Sequence, residues 1–349
     1  MSNLTKITRS LIFLFLLCGG LYFAKDFLVP VAFGGIFAML LTPMCSWLEN
    51  KSIGKALSAI LCVFLFLVIV GTVLFLLSWQ VTGLADDAVN VVALINKFSV
   101  LVQQYIAHTF GLPLEMQQQI IKEQSSILIT NSMYRIAIVS GSIASLIGLS
   151  VLVLVYIFLF IYYRNHLGNF VLKLVSEENK ERTGKIIASS GHLGQQYISG
   201  LGIVIVLLWI MYGIGFSIIG VKHALFFAVL CGLLEIVPYL GNIIVSLLTA
   251  IVAFSQGGAT MALWVLAIYG LIQFVQNYIL DPLIVGAKVS INPLCTIVVI
   301  VVGEMIWGIP GMILAIPLLG IVKIIFDNTP GLEAFGYLIG EIKTPKLKE

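Results

Sequence analysis

Apolar residues run along this chain in long, uninterrupted blocks, and polar residues collect between them. A helix needs about 20 mostly apolar residues to cross about 30 Å of hydrocarbon. Eight blocks approach or exceed that length: residues 8–24, 27–47, 57–79, 133–163, 201–220, 224–254, 259–280 and 295–326. None alternates with period two, as the strands of an outer-membrane barrel do. The pattern predicts an all-α, polytopic membrane protein with about eight transmembrane segments. Residues 1–79 supply the first three, 133–163 the fourth, and 201–326 a C-terminal core.

Between the third and fourth blocks the pattern changes. Val91, Leu94, Ile95, Phe98, Leu101 and Val102 recur at helical spacing among polar residues. Residues 80–132 therefore read as an extramembrane amphipathic region. Residues 164–200 are the most charged stretch, with Arg164, Lys173, Glu177, Glu178, Lys180, Glu181, Arg182 and Lys185. They read as a helical connector with a solvated cytoplasmic face. Residues 327–349 form a polar tail ending in Lys343, Lys346 and Lys348. Leu17 stands before Cys18, where a lipoprotein cleavage site would need a small residue, so the first block reads as a retained span.

Composition agrees. The 349 residues are 60% hydrophobic and 10% charged, against about 25% charged in a soluble domain. The placement of Lys and Arg sets orientation. With eight crossings and the N-terminus inside, the inner segments hold 13 of these residues and the outer ones 6. Both termini are then cytoplasmic, in a bacterial inner membrane. The five cysteines, Cys18, Cys45, Cys62, Cys231 and Cys295, lie in or beside apolar blocks without metal-ligand spacing. No Walker sequence, HExxH or GxSxG elbow occurs. No cofactor or nucleic-acid partner is implied, and the chain does not read as an enzyme.

Two blocks are too long. Residues 224–254 and 295–326 would span about 46–48 Å as helix, half again the hydrocarbon thickness, and tilt rarely absorbs so much. Each is interrupted near its middle, by Glu235-Ile236-Val237-Pro238-Tyr239-Leu240-Gly241 and by Gly303-Glu304-Met305-Ile306-Trp307-Gly308-Ile309-Pro310-Gly311. These segments read as broken or re-entrant. Unwound backbone at membrane depth survives only where it is buried in protein or lines a cavity, and paired Gly/Pro interruptions mark a transporter's binding site. Plain kinked helices are the competing reading. Glu235 and Glu304 sit inside the breaks, where a charge costs at least about 2.5–3.5 kcal/mol. Each is protonated, paired, facing water, or capping a half-helix. Gln273, Asn277 and Asp281 stand at i, i+4 and i+8, which is one face of an α-helix; Gln276 lies just off it. That stripe could line an aqueous path or glue helices together. Pro282 ends the helix.

The C-terminal residues carry a family resemblance. Ile236-Val237-Pro238-Tyr239-Leu240-Gly241 is followed by Asp281-Pro282-Leu283-Ile284-Val285-Gly286, then Pro293, then Gly303, Gly308 and Gly311, then Ala315-Ile316-Pro317 and Lys323. This order resembles the AI-2E transporter family, also called the PerM or autoinducer-2 exporter family. The resemblance implies export of a small polar signalling molecule in some members and sodium(lithium)/proton antiport in others. It also implies a homo-oligomer, a pentamer in the expected arrangement. The chain departs from the family at Leu283, where a basic residue is common, and at Asn292, where a histidine is common.

The expected function is a secondary transporter of a small polar, autoinducer-2-like solute, or an exchanger of Na+(Li+) for H+. Its expected solute- or ion-binding residues are Glu235, Pro238 and Gly241 at the first break. Gln273, Asn277, Asp281 and Pro282 form the stripe. Glu304, Gly308 and Gly311 mark the second break. The alternative is a non-transporting scaffold or regulator acting through residues 80–132 and 164–200, which would tolerate substitutions at both breaks.

Overall fold

The computed structural model describes residues 3–79, 132–237, 240–286 and 291–341. The expected amphipathic region falls outside the described residues except for Ser132, as do Pro238 and the chain after residue 341. Among the described residues all regular structure is helical, apart from one isolated bridge between Ile291 and Gly340. The helices are α1 (Asn3–Phe23), α2 (Lys25–Asn50), α3 (Lys55–Trp79), α4 (Ser132–Lys173), α5 (Glu177–Ile219), α6 (Ala224–Leu234), α7 (Leu240–Val275), α8 (Pro293–Trp307), α9 (Ile309–Asp327) and α10 (Glu333–Ile339). A π-helix, Gln276–Gly286, continues α7.

Six described helical stretches are long and apolar enough to cross a membrane: α2, α3, α4 from Gly148, α5, α7 with the π-helix, and α9. α3 is typical. Phe64, Leu67, Ile69 and Phe75 all point outward, which in water would be an aggregation surface and in a bilayer is the solvated face.

The charged stretch 164–200 is the junction of two long helices. α4 has 42 residues and α5 has 43, so each is about 63–65 Å long, twice the hydrocarbon thickness. Glu177 and Glu178 open α5, where acidic side chains meet the positive end of the helix dipole. Lys180 pairs with Glu177, and Lys185 with Glu181 at 2.7 Å, on the exposed surface. Gly220, at φ 83°, closes the other end of α5 in the left-handed conformation that glycine adopts without strain.

α2, α3 and α4 form an N-terminal bundle around Ala38, Leu41, Cys45, Ala59, Cys62, Ile157 and Ile161. At one end Arg164 of α4 pairs with Glu49 of α2 and donates to the Cys45 Sγ at 3.6 Å. α2 then packs on α5, with Gly194 lying directly against Met39.

The two interrupted segments do not run straight through. α6 and the first limb of α7 fold back on each other, with Phe227 and Cys231 packed among Val245, Ala250 and Val252. The base of this first hairpin is tied where the Lys222 N–H donates to Gln256 Oε1 at 2.9 Å. Gly257 and Gly258 then leave helical geometry (φ/ψ −135°/17° and 70°/−163°), and the second limb of α7 departs. α8 and α9 form the second hairpin around Gly308, whose φ of 66° and ψ of −145° belong to a region open only to glycine. Its arms touch backbone to backbone: a Cβ on Gly303 would lie 2.5 Å from the Gly311 carbonyl oxygen.

α5 fixes how the hairpins face. Leu193 and Tyr197 pack against Ile291, Ile321 and Ile324 at the base of the second hairpin. Phe216 packs with Val221 and Ala224 at the base of the first. From Tyr197 to Phe216 is 19 residues, or about 28 Å along the helix. The hairpins therefore start from opposite ends of a membrane-thick layer. Their tips meet inside it, Val237 packing against Ile300, Met312 and Ala315. Of the two forms expected for these segments, broken or re-entrant, the structure has the second: each break turns the chain around.

Candidate functional site

The tip of the first hairpin carries Glu235, half-buried at the C-terminal cap of α6. The chain turns there because the Glu235, Ile236 and Val237 N–H groups close tight bonds to Cys231, Leu233 and Leu234. Gly241 lets α7 begin directly against the Leu234 carbonyl, where any Cβ would collide. That turn aims the Glu235 carboxylate at the start of α7 and at the π-helix.

Both carboxylate oxygens are met by amides. Asn242 Nδ2 donates to Oε2 at 2.7 Å and Gln276 Nε2 donates to Oε1 at 2.7 Å. Behind them the pattern closes. Tyr212 donates its hydroxyl to Asn242 Oδ1 at 3.4 Å. Gln273 Nε2 donates both to the Tyr212 oxygen at 3.3 Å and to Gln276 Oε1 at 3.1 Å. Five side chains from α5, the first hairpin, α7 and the π-helix form one closed ring. Tyr212, Asn242 and Gln276 are 0%, 4% and 2% exposed, so in an apolar layer each polar atom depends on its ring partner. The Tyr212 ring is wedged against Phe216 and Tyr269, which fixes its hydroxyl.

The π-helix rearranges the expected stripe. An α-helix would align Gln273, Asn277 and Asp281, but hydrogen bonds closing at i→i+5 widen each turn. Gln276 and Asp281, five apart, then share a face, and the Asp281 carboxylate lies against the Gln276 amide. Gln276 thus stands between two carboxylates. Asn277 is turned outward and exposed, away from the ring. Pro282 lies within the π-helix instead of ending it, with an exposed side chain.

The second break supplies no group to the ring. Glu304 is exposed on α8, one turn before the tip. Gly308 makes the turn, and Gly311 makes the close approach to Gly303. Trp307 ties this tip to the N-terminal helix, donating its indole N–H to the Leu21 carbonyl at 2.9 Å. Asn292 holds the hairpin base: its Oδ1 accepts from the Cys295 N–H at 2.8 Å, and its Nδ2 donates to the Leu338 carbonyl at 2.6 Å. It is a cap and a strap.

Of the residues named from sequence, Glu235 and Gln273 meet in the ring, Gly241 shapes its turn, and Asp281 flanks it. Pro238 lies outside the described residues. Sequence reasoning missed Tyr212 and Asn242. Asn242 had a signal, since it directly follows the Gly241 that ends the first break.

The AI-2E family transporter model matches residues 11–331 of the chain. Protein YrrI of Bacillus subtilis (strain 168) is 23% identical over 309 residues, covering 86% of each chain. YueF of the same organism is 24% identical over 322 residues, 88% of this chain and 85% of its own. YhhT of Escherichia coli (strain K12) is 21% identical over 333 residues, 94% of this chain and 92% of its own. All three carry names that mark them as candidate transport proteins.

Proposed function

Because this chain belongs to the AI-2E transporter family, we propose that it is a proton-coupled secondary transporter whose coupling carboxylate is Glu235. The observation that carries the proposal is the meeting of two opposed hairpins inside the apolar layer, with Glu235 at one tip inside a ring of amides and a phenol. A carboxylate at that depth must be protonated, paired or solvated, and these amides can release it to a solute. The neutral ring suits a small polar solute read by hydrogen bonds. Na+ or Li+ exchange for H+ would use the same carboxylate, with Asn242 and Gln276 turned to present oxygen.

Turning the two segments into hairpins also sharpens orientation. The crossing of residues 259–286 now runs inward, and Lys288, which follows it in sequence, joins the inner segments. The inner segments then hold 14 of the Lys and Arg residues and the outer ones 5, a stronger bias for cytoplasmic termini in a bacterial inner membrane.

The test is flux into proteoliposomes with an internal pH dye under an imposed pH gradient, with labelled polar solutes in one arm and Na+ or Li+ in the other. Wild type should exchange protons against one of these probes. Glu235→Gln should abolish the pH dependence while the protein elutes and melts as a folded species. Unchanged coupling in that variant would remove Glu235 from the mechanism.

A further inference from the structure

The ring around Glu235 has a property that its individual bonds do not. One atom, Gln273 Nε2, serves two edges, to the Tyr212 oxygen and to Gln276 Oε1. From it two branches run to the two oxygens of one carboxylate: Tyr212 to Asn242 to Oε2, and Gln276 to Oε1. Every donor along both branches points toward Glu235. This sense suits an ionised carboxylate, which accepts at both oxygens and donates nothing.

A protonated Glu235 would bring one O–H and need one acceptor. The easy answer would reverse a single branch and leave the other alone. Gln273 forbids it. At the shared position its amide presents either nitrogen, which donates to both neighbours, or oxygen, which accepts from both. Giving both the Glu235 and the Tyr212 protons acceptors within the ring therefore means reversing it whole, with Gln273, Gln276 and Asn242 all turning over and the Tyr212 hydroxyl swinging to Gln273. Asn242 Oδ1 and Gln276 Oε1 would then both face Glu235. Its single proton satisfies one of them, and the other awaits a donor from outside the ring.

We propose that Gln273 is the positioning residue of this site: it locks the two branches to one sense, so that proton uptake at Glu235 switches the ring as a unit from presenting donors to presenting an open acceptor. That acceptor takes a solute O–H or N–H, or a monovalent cation. The inference rests on the reading of Glu235 as the coupling carboxylate. The titratable groups facing Glu235 are Cys231 on its own helix, Tyr269 on α7, Asp281 on the π-helix and, through Asn242, Tyr212 on α5. The second hairpin faces the tip with Ile300, Met312 and Ala315, which are apolar.

The test needs no cargo. Acid–base infrared difference spectra are taken on the purified full chain in lipid nanodiscs, with glutamine side-chain amides isotope-labelled. Wild type minus Glu235→Gln isolates the carboxyl C=O band of Glu235. In wild type that band should grow together with shifted amide bands from both Gln273 and Gln276. In Gln273→Leu, where the shared atom is gone, the Glu235 band should persist while the Gln276 amide stays silent, because one branch can now turn alone. The near-isosteric Gln273→Glu, which cannot donate twice when ionised, controls for packing and should also lose the paired amide response. If the Glu235 band grows in wild type while the glutamine amides do not move, the locked ring is wrong and the coupling carboxylate survives. If Gln276 still responds in both variants, the lock does not reside in Gln273. If no pH-dependent carboxyl band is lost in Glu235→Gln, the coupling reading itself fails and this inference falls with it.

Discussion

Replacing Gly303 with alanine should pry open the second hairpin, and the geometry sets the size of the effect. The new Cβ would stand 2.5 Å from the Gly311 oxygen, 2.8 Å from the Gly311 carbonyl carbon and 3.3 Å from the Ala315 Cβ. Ordinary C···O approaches begin near 3.3 Å, so the arms must separate by about 0.8 Å. The obstacle is backbone, and no flexible side chain can step aside. A gap of 0.5–1 Å forfeits roughly a quarter to a half of each dispersion contact along the seam, and overpacking of this kind costs about 1–3 kcal/mol. The same movement displaces Met312 and Ala315, which carry the contact with Val237 at the first tip. At roughly 2–4 °C per kcal/mol for a chain of this order, the apparent Tm in nanodiscs should fall by about 2–12 °C, and proton-coupled flux should fall with it. A Gly303→Ala variant that melts within about 1 °C of wild type would refute the backbone contact as the seam of the hairpin.

Three smaller perturbations probe the fastenings around the site. Trp307→Phe removes the indole bond to the Leu21 carbonyl; hydrogen bonds of this kind in membrane proteins average about 0.6 kcal/mol and reach about 1.7, so Tm should drop by ~1–7 °C, and no drop would mean that the bond does not hold the tip. Asn292→Ala loses the α8 cap, worth about 1 kcal/mol, and frees the carbonyls of Leu338 and its neighbours. Hydrogen exchange in Glu333–Ile339 should accelerate, and unchanged protection there would count against the strap. Arg164→Met strands Glu49 in the N-terminal bundle. The pair is partly open to water, at 23% and 18% side-chain exposure, so the loss should be about 1–3 kcal/mol, below that of a fully buried pair. Adding Glu49→Gln should restore most of it, and a double variant no more stable than the single one would contradict the pairing.

Much of the architecture could be read from spacing alone. Uninterrupted apolar blocks marked the helices, and Pro and Gly clusters marked both interruptions. What spacing could not supply was the sense of each interruption. A kinked helix and a hairpin both need glycine; they differ in whether the arms meet. Gly303 and Gly311 are eight residues apart and touch only because Gly308 turns the chain between them. The length excess of about 16–18 Å over the hydrocarbon was the one clue that a straight crossing was wrong.

The site was legible where chemistry is expensive and illegible where geometry decides. Glu235 stood out because an apolar block has no use for a carboxylate unless something meets it. Its partners did not stand out, since a tyrosine or an asparagine in a span is ordinary until another polar atom is brought opposite. Tyr212 is 30 residues from Asn242 and 61 from Gln273, and only the folding of the first hairpin against α5 closes those separations. The stripe failed for a more local reason. Counting by fours assumed an α-helix through Asp281, whereas the chain widens to five from Gln276 onward and exchanges Asn277 for Gln276 on the inner face. A π-helix trades regular packing for placement, and here the placement is of one amide between Glu235 and Asp281. The misread register and the polar site are therefore one feature.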